Sequence, residues 1–213
     1  MKLGVFVLWG LGSLSFGQEV STDLVLPSLG NWLMAEDGTP AHWLGAVFRG
    51  RPLVEPINVV VVDAFAGSSD EALNKFLRAT TSGGFGEKWG HSSGYWAFIG
   101  GELFPQISSH DDTAISDGQA VFENNHGRIF GPWNDGNQWV FVGAFSRESF
   151  RPFSRLHHGF VSFNLARDQF AQRLAQGEFY RLRGSYNLGN IRDDGAGTTA
   201  DHDGQLAVLE AIR

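Results

Sequence analysis

The sequence predicts an α+β fold: a single-domain mixed sheet with two main helices packed on one face. Three observations carry this expectation. Val59–Val62 is an unbroken β-branched run, which suits a strand covered on both faces. A strand-then-helix pattern occurs twice, over 57–79 and over 159–176, with further strands between. Glycine is abundant, at 28 residues, which favours turns and short strands over long helices.

The elements follow in order. Residues 1–17 read as a signal peptide: Lys2 gives a minimal positive start, Leu3 to Leu14 is apolar, and Ser15 and Gly17 are the small residues of a cleavage site. Residues 18–213 form the single α+β domain, within which 18–51 is a loop-rich lead-in anchored by Trp32, Trp43 and Phe48. The strand in "PINVVVVD" runs into a helix in "SSDEALNKFLRA". Ser68 and Glu71 form a capping box, and Ala72, Leu73, Phe76 and Leu77 fall on one stripe. The glycines of "TTSGGFG" end it. "GYWAFIGGELF" reads as a strand or hairpin around Tyr95–Ile99. "NNHGRIFGP" reads as a strand stopped by its Gly-Pro, and "QWVFVGAF" as a second strong strand from Gln138 to Phe145. "GFVSFN" leads into the helix of "ARDQFAQRLAQG", with Asn164 as its N-cap and Gly177 as its stop. "GQLAVLEAI" is a late strand.

Composition narrows the function classes. A net charge of -7 with no Lys/Arg run argues against nucleic acid, whose binding rests on basic contacts to phosphate. The absence of cysteine excludes a disulfide framework, a thiolate metal site and a Cys nucleophile. With the leader this predicts a secreted or periplasmic protein with no transmembrane segment after signal removal.

The candidate site comes from polar residues beside glycine at strand ends, where loops collect function. His91, His126, Arg128, His158 and His202 are the candidate catalytic residues. Asn124, Asn125, Ser92, His157, Asp201 and Asp203 are assigned to ligand binding. In a strand His126, Arg128 and Phe130 share one face, and Gly127 and Ile129 the other. Ile129 then fills the core while His126 and Arg128 face a groove. Arg128 either clamps a carboxylate or phosphate with its fork of donors or ties down an internal carboxylate. His91 or His158 serves as general base. The histidines with Asp201 and Asp203 could supply N/O ligands to a divalent ion, although no H-E-x-x-H or H-x-H pair is present. There is no G-x-S-x-G elbow and no phosphate loop, and "DDGAGTTADHDG" lacks EF-hand spacing.

Six segments carry a resemblance: "EPINVVVVDAFAGSSDEALNKFL", "GHSSGYWAFIGG", "NNHGRIFGPW", "VFVGAFSRE", "HHGFVSFNLARDQFAQRL" and "TTADHDG". Together they resemble a group of exported bacterial and fungal proteins. More faintly, the chain is similar to the LssY C-terminal domain, which is found beside membrane phosphatase domains. The resemblance implies an extracytoplasmic α+β domain linked to envelope lipids or phosphoesters, and it transfers no catalytic residues. The expected function is a hydrolase-like activity on phosphoesters or other acidic envelope components. The alternative is a non-catalytic envelope binding or structural module whose contact surface is built from Trp residues.

Overall fold

Val59–Val62 lies at the centre of the main sheet, as its composition predicts. The computed structural model describes residues 24–108, 110–150 and 158–213. The proposed signal peptide and His157 lie outside them. Of His158 only the backbone is described.

In chain order the elements are β1 (His42–Phe48), β2 (Arg51–Val54), β3 (Val59–Asp63), α1 (Ser69–Ser82), β4 (Gly86–Trp89), β5 (Trp96–Ile99), β6 (Glu102–Pro105) and β7 (Thr113–Ser116). Then come β8 (Asn124–Asn134), β9 (Trp139–Phe150), β10 (His158–Ser162), α2 (Phe163–Ala175), β11 (Tyr180–Asn187), β12 (Asp193–Asp194), β13 (Gly197–Thr198) and β14 (Gln205–Ala211). The main sheet runs β11-β14-β3-β9-β8-β7-β4, and β10 pairs with the far half of β9. Its pairs are antiparallel except β14 with β3, so the sheet is mixed.

Alternation along each strand sorts the core into two layers. On one face Val59, Val61, Ile129, Phe141, Phe145 and Leu209 meet Ala72 and Phe76 of α1 and Phe170 and Leu174 of α2. Both helices therefore pack on the same side. On the other face Val60, Val62, Phe130, Val142 and Val208 meet Leu33, Ile57, Ala97 and Ile99, which come from the lead-in and the β5–β6 hairpin. A small sheet, β1-β2-β13-β12, adjoins this second layer and contributes Trp43 and Leu53 to a third cluster.

Several boundaries differ from the sequence reading. The lead-in is not only loop, because it carries β1. The capping box of α1 forms in part: the amide of Glu71 donates to Ser68 Oγ, but Glu71 reaches past the N-cap and accepts from the amide of Gly67. Helix α2, however, is capped by Ser162 and not Asn164. Ser162 Oγ accepts from the amide of Leu165 at 2.9 Å, while Asp201 accepts from the amide of Phe163. Asn164 instead donates to the Asp201 carbonyl. The Gly131-Pro132 pair does not stop its strand. Pairing resumes at Trp133 after a register shift, with Gly131 at φ +111°, a conformation that suits glycine at a bulge.

Candidate functional site

Three residues from three segments meet on the sheet face opposite the helices. His126 lies on β8, Glu148 on β9, and His91 on the loop after β4. His126 is placed by the register of β8 on β9, which sets Asn124 opposite Glu148 and His126 opposite Ser146. Nδ1 of His91 and Nδ1 of His126 each lie 3.8 Å from Oε1 of Glu148. The two imidazoles stack with centroids 4.6 Å apart. All three side chains are buried. Among the described residues these are the group whose ligand atoms fit around one cation, all lying within 4.8 Å of one another.

The surroundings are ordered by polar contacts. Asn124 Nδ2 donates to Glu148 Oε1 at 2.9 Å, and Asn124 Oδ1 accepts from Ser116 Oγ. His126 Nε2 lies 3.2 Å from Ser146 Oγ, which accepts from Trp43 Nε1 at 3.0 Å and reaches Glu55 Oε1 at 3.4 Å. Glu55, just after β2, is buried. Burial pushes its carboxyl above the ordinary range, with Arg128 the chief opposing influence.

Arg128 does not face an open groove. It is 3% exposed, its Nη1 donates to both oxygens of Glu55, its Nε to the Ser92 carbonyl, and its Nη2 to Ser92 Oγ. The guanidinium also lies over the Tyr95 ring. With these donors engaged inside the protein, Arg128 is a tie between β8, Glu55 and the 91–95 loop, and a poor anion clamp. His126 is likewise inward-facing. The predicted alternation holds, but a further layer covers the face that was expected to be open.

The other predicted residues go elsewhere. Asn125 points to the helix side, where it donates to Asp117 and Gln169. Asp201 caps α2, and Asp203 pairs with Arg167 of the same helix. His202 donates from Nε2 to Asn190 Oδ1 at 2.7 Å, because the Asn190 amide is oriented by donating to the carbonyls of Asn31 and Ile57. The Asp201–Asp203 group thus organises α2 and the segment around Asn190.

His202 has a consequence of its own. Burial holds its pKa down from 6.5 to about 4, despite Asp203 and Asp201 pulling it up. The unfolded chain takes up a proton below about 6.5 that the folded chain refuses until about 4. This contribution is complete above the unfolded value and is lost as pH falls towards the folded one, about 3 kcal/mol in all. Urea midpoints at pH 7 and pH 4.5 should therefore diverge less in His202→Gln than in the unmodified chain. Equal divergence in both would contradict this.

Glu148, Glu55, Ser146 and Trp43 were not recognised as site residues from sequence. The available signal was Glu148 two residues after Ser146, both in phase with the inward Val142 and Ala144. The 91–95 loop also continues into a surface pocket of about 480 Å3, lined by residues including Ser93, Tyr95, Gln106, Ser108 and His110. Compared with family models, with curated proteins and with solved structures, the chain finds no match in any of the three.

Proposed function

We propose that the chain is an exported hydrolase-like protein whose reaction site is the His91–His126–Glu148 chamber, acting on phosphoesters or other acidic esters of the cell envelope. One observation carries this reading: two imidazoles and a carboxylate converge at 3.8 Å within the buried interior. Buried ionisable groups are costly to a fold and gather where chemistry needs them. A surface pocket on the same 91–95 loop offers hydroxyl and amide groups to a polar substrate, although its lining does not include His91, His126 or Glu148. In the reaction, water adds its oxygen to the phosphorus or acyl carbon and the leaving alcohol takes up a proton. The substrate class rests on the resemblance to the LssY C-terminal domain, not on Arg128, and export rests on the leader-like start.

The test is turnover of p-nitrophenyl phosphate, bis-p-nitrophenyl phosphate and p-nitrophenyl butyrate by the purified chain. Turnover of at least one phosphoester is expected, and a loss of at least 100-fold in His91→Gln with its circular dichroism unchanged. A folded wild-type chain that turns over none of the three substrates overturns the reading. The near-complete burial of the chamber favours a second reading, a non-catalytic envelope module in which the cluster only orders the fold. Its proposed Trp contact surface has little support: Trp89 is exposed, whereas Trp32, Trp43, Trp96, Trp133 and Trp139 are buried or half-buried.

A further inference from the structure

We infer that His91, His126 and Glu148 form a three-ligand site for a divalent cation of the zinc class, with a fourth position left open for water. The inference rests on the hydrolase reading for its use but not for its geometry. A separation of 3.8 Å between each imidazole nitrogen and the carboxylate oxygen is too long for a hydrogen bond, which needs about 2.7–3.2 Å. It is close to the spacing of atoms bridged by a metal. Ligands about 2.0–2.1 Å from a tetrahedral centre lie roughly 3.4 Å apart. The two carboxylate contacts close by about 0.4 Å each, while the imidazole ligand atoms, which lie within 4.8 Å of one another, close by up to about 1.4 Å as the stacked rings turn to aim their lone pairs at one ion.

The donor set selects the metal. Two imidazoles and one carboxylate suit zinc and its neighbours, whereas calcium and magnesium prefer all-oxygen shells. The second layer of contacts fits the same role. A ligating histidine commonly donates its other N–H to a fixed acceptor, and His126 has Ser146 Oγ 3.2 Å from Nε2. Trp43 Nε1 can only donate to that oxygen, and Glu55 is within reach of the hydroxyl proton. With its proton on Nε2, His126 donates to Ser146 and turns the Nδ1 lone pair towards Glu148 and His91. Glu148 is steered by Asn124, which donates to the same oxygen. The ligands come from β8, β9 and the loop after β4, so an ion would also fasten that loop to the sheet.

The test uses the full chain purified without a metal-affinity tag. After chelation and dialysis against Zn2+, elemental analysis should give one zinc per chain, and Co2+ in its place should give the intense visible bands of a tetrahedral site. Zn2+ should also raise the Tm of the unmodified chain, since an ion that binds the folded state alone stabilises it. Ser146→Ala, a change to a positioning residue, should keep one zinc per chain but weaken affinity by about 10- to 100-fold. His126→Gln combined with Glu148→Gln should abolish stoichiometric binding. Substoichiometric zinc with no shift in the wild-type Tm overturns the site, as does full binding by the double variant. One zinc per chain without turnover of any ester keeps the site and removes the hydrolase reading. Turnover by a chain that takes up no zinc even after dialysis against Zn2+ does the reverse.

Discussion

Arg128→Met should lower the free energy of unfolding by about 3–5 kcal/mol, the usual cost of removing one member of a buried ion pair. The cost comes from what remains. Glu55 is buried, and Arg128 is the main influence holding its carboxyl towards the charged form. Ser92 also loses the donors that now reach its carbonyl and hydroxyl. Arg128→Lys should recover only part of the loss, because a single ammonium cannot span both Glu55 and Ser92. Adding Glu55→Leu to Arg128→Met should restore much of the stability, since an apolar pair of similar volume leaves no stranded charge. Urea denaturation of the two single variants and the double variant measures this directly. A cost below about 1 kcal/mol for Arg128→Met would mean that the pair behaves like a solvated surface bridge and not the internal tie described above.

Gly127→Ala should cost about 3 kcal/mol or more, at or beyond the upper end of ordinary overpacking. A Cβ at Gly127 would come within 2.3–2.6 Å of Phe145 ring atoms. Phe145 cannot easily retreat, because its ring stacks on Phe170 with centroids 3.9 Å apart and is fully buried. The strand itself would have to move, and it carries His126 on one side of the glycine and Arg128 on the other. Phe145→Leu in the same chain should therefore reduce the penalty non-additively, as coupled neighbours do. Simple addition of the two single costs in thermal or urea unfolding would argue that the clash is relieved some other way.

The parts of the fold legible in the sequence are those whose burial is written into local composition. Val59–Val62 and Trp139–Phe145 read as central strands because they are continuously apolar, and both are central. The edge strand β4 was missed because Glu87 and Trp89 are exposed and its pairing is a matter of backbone. β11 was missed because Arg181 and Arg183 obscure its pattern. The same limit governs the site. His91 and His126 stand out as histidines beside glycine, but their shared partner Glu148 lies in "SRES", which looks like solvated strand end. Its inward direction follows from continued alternation past Phe145, and its company from a register between β8 and β9 that no local pattern reveals.

The parallel pairing of β3 with β14 imposes an order of assembly. Val59 and Ala207 are direct partners, although they are separated by most of the chain. Among the described residues β11 joins the sheet through β14 alone. As the chain emerges from the ribosome, one flank of β3 has no neighbour until the stretch around Gln205–Ala211 has been synthesised. Such long-range closure is slow. A chain built this way stays incompletely folded while most of it is already made, with an apolar strand edge that invites either a chaperone or aggregation.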